Sequence, residues 1–300
     1  MALHDDQDDS QVIRIGDGAL NVIANPIKLD GRSSSHPLDV RGWTTMNTFL
    51  LIEGDHALVY STGFTAHRAS LMRRLRELVG DRKVSMAIPR VEWASMCNAR
   101  AIADTFEIDA IYQRVEAPPE LFLDFHADSV GPSRGLTTGR LVPMVNTLKM
   151  AVHPDRPRAL EFLVPELRLL PSNWGYDPAT KTLFTGDTFS WVWQDSVAGP
   201  WFLDSAKDDP TTLERVIHQL THGRYWWLPG AETGPIREAL DETFAKFDIA
   251  FIAPDHGPVL AGEAVARHIA LLDQCLAEVE KRPSIGVAAG QWTISSMRNA

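Results

Sequence analysis

Lys181-Thr182-Leu183-Phe184-Thr185-Gly186-Asp187-Thr188-Phe189 reads as a strand ending in a Gly-Asp loop, and Phe251-Ile252-Ala253-Pro254-Asp255-His256-Gly257-Pro258 as a strand ending in a His-Gly loop. Each is a short apolar run closed by turn-forming residues, the pattern of a buried strand that delivers polar side chains at its end. Upstream, Val84 to Ile88 is a third buried-strand candidate, and it feeds directly into Arg90-Val91-Glu92-Trp93-Ala94-Ser95.

Strand and helix signals interleave around these motifs. Met46 to Ile52 and Ala57 to Tyr60 read as strands flanking a Glu53-Gly54-Asp55 turn. Leu71, Leu75 and Leu78 recur at helical spacing from Ala66 to Val79, with Gly80 as the stop. A helix with Met96, Ala99, Ile102 and Phe106 on one face is predicted next, with Ser95 as its N-cap. Further helices are predicted around Leu213–Leu220, Ile236–Phe247 and Val265–Val279, and the stretch from Ala127 to Pro143 as loop. Strands alternating with outer helices imply a layered α/β structure.

Composition narrows the function classes. At 300 residues the chain can bury a sizeable core, and 44% hydrophobic with 23% charged residues is the balance of a globular protein. A net charge of −10 argues against nucleic acid as an electrostatic partner. With no apolar run of about 18 residues, no membrane span is expected, and an acidic start without a signal-peptide pattern gives a cytoplasmic expectation. Two cysteines, Cys97 and Cys275, are too few for a disulfide scaffold. Residues 1–11 are expected to form an acidic tail, 12–282 one domain, and 283–300 a C-terminal tail.

The Gly-Asp and His-Gly motifs, in this order and strand context, resemble the late motifs of the metallo-β-lactamase superfamily, specifically the branch that forms the diiron lobe of flavodiiron proteins. The resemblance covers roughly Val12 to Gly262 and implies a four-layer αββα sandwich with its site at one edge. The residues after it are too few for the flavodoxin-like domain that follows in full flavodiiron proteins, so no flavin domain is expected. By analogy only, a homodimer is expected.

In that branch two metals are held by about six or seven nitrogen and oxygen ligands, including a bridging carboxylate. Asp187 matches the bridging aspartate, His256 the last histidine, and Glu92 the glutamate of a His-x-Glu-x-Asp-His run. Arg90 stands where that run begins with histidine, Ala94 where it has aspartate, and Ser95 where it ends with histidine. Ser61 replaces an early aspartate, and Leu169–Asn173 lacks the mid-chain histidine.

The resemblance therefore implies at most Glu92, Asp187 and His256 as metal ligands, for iron or zinc, if any metal binds. The preferred expectation is no cofactor, with Arg90 bridging Glu92 and Asp187 in place of the metal charge. A small organic or anionic ligand would then bind through Arg90, Trp93, Ser95, Trp174, Trp191 and Trp193. The alternative is a hydrolase or an oxygen-linked oxidoreductase using Glu92 or His256 as general base with one metal or none. Gly131-Pro132-Ser133-Arg134-Gly135 fits a nucleophile elbow but lacks a helix start after it. Cys97 reads as a small core residue.

Overall fold

The computed structural model describes residues 8–90, 92–113, 140–144, 149–168 and 172–284. Its strands are β1 (Gln11–Ile15), β2 (Leu20–Leu29), β3 (Gly42–Glu53), β4 (His56–Tyr60), β5 (Lys83–Ile88), β6 (Ile108–Gln113), β7 (Arg140–Pro143), β8 (Lys149–Ala151), β9 (Ala159–Leu163), β10 (Trp174–Asp177), β11 (Thr182–Gly186), β12 (Phe202–Leu203), β13 (Phe251–Pro254) and β14 (Val259–Ala261). Its α-helices are α1 (Arg68–Val79), α2 (Trp93–Met96), α3 (Ala99–Thr105), α4 (Leu213–His218), α5 (Gly234–Lys246) and α6 (Gly262–Glu280).

Two 7-stranded sheets result, one in the order β1-β2-β3-β4-β5-β6-β7 and one in the order β12-β14-β13-β11-β10-β9-β8. Both are mixed. In the first, β1 to β4 pair antiparallel and β4 to β7 parallel. In the second, β11 pairs parallel with β13, and β12 with β14.

The layering follows from the two-residue period of a strand. Along β3 and β4, Leu50, Ala57 and Val59 face the helices α1 and α3, packing with Leu71, Leu75, Ala99 and Ile102. Their neighbours Phe49, Leu51, Leu58 and Tyr60 point the other way, onto Phe162, Phe184 and Ala253 of the second sheet. Leu183, Ile252 and Leu260 take the far face of that sheet, under Val216, Leu240, Leu272 and Leu276 of α4, α5 and α6. Strands buried on both faces read as continuous apolar runs, which is how β11 and β13 were legible. The outcome is the expected αββα sandwich.

Local differences from expectation have identifiable causes. The helix expected after Ser95 is split into α2 and α3, and Ser95 lies inside α2. Its hydroxyl is taken by Arg90, whose Nε donates to Oγ at 3.3 Å. Asn98 stands before α3 instead, and its Nδ2 ties down Thr62 O and Phe64 O, both at 2.9 Å. Residues 140–143, expected as loop, form β7 alongside β6; the rest of that stretch, with the Gly131–Gly135 motif, lies outside the described residues. Asp8 of the acidic start pairs with Arg73 and, at 3.1 Å, with Arg74 of α1. The strand β1 begins one residue earlier than the expected domain start. Cys97 is half-buried, and burial pushes its thiol up. Among the described residues no helix is long and apolar enough to cross a membrane.

At the edge away from the Gly-Asp and His-Gly loops, the sheets are joined by a buried ion pair. Arg158 Nε and Nη2 donate to the two oxygens of Asp177 at 3.1 and 2.5 Å, while Nη1 donates to Ile52 O at 2.9 Å and Ala19 O at 3.2 Å. Asp177 is fully buried, so losing its partner strands a charge. Arg158→Ala is expected to lower the unfolding free energy by about 3–5 kcal/mol. The double change Arg158→Met with Asp177→Leu should recover most of it. Urea unfolding of the three proteins checks both.

Candidate functional site

Four strand ends converge at one edge of the sandwich. The chain leaves β4 through Ser61-Thr62-Gly63, β5 through Arg90, β11 through Gly186-Asp187, and β13 through Asp255-His256-Gly257. Backbone bonds lock these ends together. Thr62 N donates to Ser95 O at 3.0 Å, Gly63 N to Ala94 O at 2.8 Å, and Asp255 N to Gly186 O at 2.8 Å. From the first sheet, Asn47 Nδ2 donates to Pro254 O and Gly257 O, and Thr45 Oγ1 to Gly257 O, all at 2.8 Å. Gly257 has a φ of +89°, and a Cβ there would stand 2.8 Å from Val192 O, so this turn requires glycine.

Arg90 is the centre of the site and only 3% exposed. Its Nη1 lies 2.8 Å from Glu92 Oε2 and 2.6 Å from Asp187 Oδ2, and its Nη2 lies 2.7 Å from Asp255 Oδ2. With Nε on Ser95, all three nitrogens of the fork are engaged. Arg224 approaches from the other side, with Nη2 at 3.1 Å from Asp187 Oδ1 and Nη1 at 3.5 Å from Glu92 Oε1. It is carried by a π-helical segment, Gln219–Arg224, that continues α4. The wider π turn rotates the last residues of the helix, and such segments recur at functional positions.

His256 is buried beside this cluster. Its Nδ1 donates to Thr45 O at 3.1 Å, which leaves Nε2 as an acceptor 4.0 Å from Asp187 Oδ1 and without a hydrogen-bond partner. His36, from the loop between β2 and β3, sits edge-on to it with ring centroids 6.1 Å apart. Phe64 lies 5.9 Å from the same ring.

The electrostatics follow from burial set against these contacts. Burial opposes the charge of Arg90, but Asp187, Asp255 and Glu92 outweigh it and hold the guanidinium firmly protonated. Burial likewise opposes the charge of Asp187, yet Arg90 and Arg224 keep it well below the usual carboxylate range. Asp255 goes the other way: burial, with Asp187 and Glu92 nearby, pushes it up to about 6 despite Arg90. Burial pushes His256 down to about 3, so it is a neutral imidazole at pH 7. Two guanidiniums thus hold Asp187 firmly ionised, whereas Asp255 ionises only near pH 6.

Of the residues singled out in the sequence, Arg90, Glu92, Ser95, Asp187 and His256 meet here, and Trp174 lines the recess beside Arg90. That recess is a cavity of about 20 Å³ bounded by Arg90, Leu167, Ser172, Trp174, Asp187 and Tyr225. The other indoles are placed differently. Trp191 is fully buried and donates from Nε1 to His268 Nδ1 at 2.9 Å in the core beneath α6. Trp193 packs with Leu29 and Val40 and carries the Arg215 guanidinium 4.2 Å above its ring, touching the site only through His36. Trp93 opens α2, and its side chain lies outside the described residues. Asp255, Arg224 and His36 are additions. Asp255 was legible beside His256 but read as a turn residue, whereas nothing local marks Arg224 or His36.

No protein-family model and no curated protein matches this chain by sequence. Solved structures do match. A fragment of diflavin flavoprotein A 5 from Nostoc sp. PCC 7120 is 18% identical, with a TM-score of 0.64 over 90% of this chain and 96% of that one. The Flv1 flavodiiron core from Synechocystis sp. PCC6803 is 16% identical, with a TM-score of 0.63 over 90% of this chain and 61% of that one. Rubredoxin oxygen:oxidoreductase from the anaerobe Desulfovibrio gigas is 17% identical, with a TM-score of 0.61 over 91% and 62%. The chain thus spans about three fifths of the length of those last two proteins. The fold is that of the metallo-β-lactamase-like core of flavodiiron proteins, as the motifs implied.

The raised Asp255 gives a pH signature. A carboxyl whose folded pKa exceeds its unfolded value of about 3.9 binds more protons in the folded state between the two values. Stability is therefore lost as pH rises through that window. Relative to Asp255→Asn, the wild-type protein should lose unfolding free energy between about pH 4 and pH 6. Urea unfolding of both proteins across that range checks the sign.

Proposed function

We propose that this chain is a flavodiiron-like scaffold whose dimetal site has become an arginine-neutralised recess, and that it binds a small polar ligand there instead of carrying out diiron chemistry. One observation carries the reading: the Arg90 guanidinium lies 2.6 to 2.8 Å from Glu92, Asp187 and Asp255. Glu92 and Asp187 are the residues that match metal ligands, and both already face Arg90 and Arg224. A divalent ion between them would meet fixed positive charge at contact distance. The side chains present therefore do not fit a dimetal centre.

The same contacts narrow the ligand. Arg90 has all three nitrogens committed, so little of its fork is left for a free anion. Buried atoms without a hydrogen-bond partner here include His256 Nε2, an acceptor beside the Asp187 carboxylate, and Arg224 Nε, a donor. A small polar ligand that both donates and accepts hydrogen bonds complements the two. A cavity of about 20 Å³ beside Arg90 has room for a water-sized group, so a larger organic ligand requires the walls to part.

A second reading, hydrolysis or oxidoreduction with Glu92 or His256 as general base, rests on that free Nε2 lone pair. Burial makes His256 a weak base, pushed down to about 3. Both carboxylate oxygens of Glu92 already face guanidiniums, at 2.8 and 3.5 Å, which leaves them poorly placed to take a proton from a substrate. Binding is the better-supported function.

Replacing the cation tests the reading. Arg90→Ala leaves three carboxylates without their main partner, and it should bind zinc or ferrous iron more tightly than the wild-type protein, measured by metal content after equilibration and desalting. In the wild-type chain, metal content should not fall on Asp187→Asn or His256→Ala. Stoichiometric metal in the wild type that both variants abolish would overturn the proposal.

A further inference from the structure

The β3–β4 hairpin, at the edge of the sandwich opposite Arg90, holds a group of side chains that the reading above does not use. Asp55 and His56 come from the hairpin, and His153 from the segment between β8 and β9, 98 residues further along the chain. His153 Nε2 lies 2.8 Å and His56 Nδ1 3.0 Å from the same oxygen of Asp55, Oδ1. The two imidazoles are tilted at 56° with centroids 4.2 Å apart, and one ligand atom from each of the three residues falls within 4.8 Å of the others. From His56 to Ser61, along β4, is about 17 Å, so this group is separate from the Arg90 cluster.

We propose that Asp55, His56 and His153 bind one divalent transition-metal ion of the zinc class. Two imidazole nitrogens and one carboxylate, with water in the fourth position, are the donor set of an open tetrahedral site. Both histidine side chains are more than nine-tenths buried, while that of Asp55 is 74% exposed. The ring donors are thus held in place by packing and the carboxylate leaves a path to solvent. Hydrogen bonds from the two histidines hold Asp55 at about 2, so it is ionised, the form that ligates, at neutral pH.

Metal entry makes a defined demand on the protons. In the hydrogen-bonded form, Asp155 N donates to His153 Nδ1 at 3.0 Å, so the ring proton sits on Nε2 and faces Asp55. An ion on Nε2 moves that proton to Nδ1, and the Asp155 amide must turn away. His56 makes the corresponding shift, from Nδ1 to Nε2. No proton need leave either neutral ring. Cations beside the hairpin are Arg156, which pairs with Glu53 at 3.9 Å, and Arg82, whose Nε donates to Gly54 O at 3.0 Å. Because the hairpin belongs to the first sheet and His153 to the second, the bound ion would clip the two sheets together and raise their resistance to unfolding.

Cobalt(II) titration of the chelator-treated full chain, followed by visible absorption, tests this. One equivalent should bind with the intense bands of a tetrahedral site. Asp55→Asn and His153→Gln should each weaken binding by more than about tenfold, and His256→Ala should leave it unchanged. Zinc should raise Tm in the wild type and not in Asp55→Asn, whose exposed position makes it a folded control in chelator. Absence of binding, or binding indifferent to Asp55→Asn and His153→Gln, overturns the assignment. Either result is independent of whether the Arg90 recess binds anything.

Discussion

A buried guanidinium held by one buried and two partly buried carboxylates is the constraint on which this edge of the molecule depends. Each of these groups is expensive to remove from water, and none could be kept without the others. Arg90 at the end of β5 takes one acid from its own loop, one from the end of β11 and one from the end of β13. It therefore fixes the spacing of three strand ends from two sheets, as a bound cation would. The bifurcated geometry of arginine suits it to this, since one planar fork can reach carboxylates lying in different directions, which the single point charge of lysine does not do.

The balance is not complete, and the incompleteness is informative. With Arg224 the cluster has two permanent positive charges against three acids, and the shortfall falls on Asp255, the acid with no contact to Arg224. Burial pushes Asp255 up and the two neighbouring acids add to it, while Asp187, gripped by both guanidiniums, is held down despite its burial. His256 cannot make up the missing charge, because burial keeps its ring neutral.

How much of this was legible in the sequence depends on how local the signal was. β11 and β13 announced themselves as apolar runs closed by Gly-Asp and His-Gly, because a doubly buried strand tolerates no interruption. Arg90 could be paired with Glu92 and Asp187 because the family resemblance put all three in one recess, where a buried acid needs a partner. Arg224 and His36 were not legible: each reaches the site through tertiary placement, one by a π-helical turn and the other by a loop held through Gln219 Nε2 on Ser35 O at 2.7 Å. The indoles misled for a related reason. Proximity in sequence to the Gly-Asp loop put Trp191 and Trp193 near the site, but strand-end loops turn sharply, and only Trp174 of these three lines the recess.

In the proposed reading, an arginine in place of a metal changes what this edge can do. A metal ion offers open coordination positions, so a reacting molecule can bind to the charge itself. A guanidinium offers only hydrogens, and once these are spent on fixed carboxylates its charge is structural. In the proposed reading, the charge that would organise chemistry instead organises loops. In that reading a ligand would use the groups left over, among them the Nε2 lone pair of His256, Arg224 Nε and the outer faces of Asp187 and Glu92. On that reading the sandwich requires only that opposite charges balance at that edge. The Arg158–Asp177 pair at the other edge shows the same fold meeting that demand without any metal-matching residue.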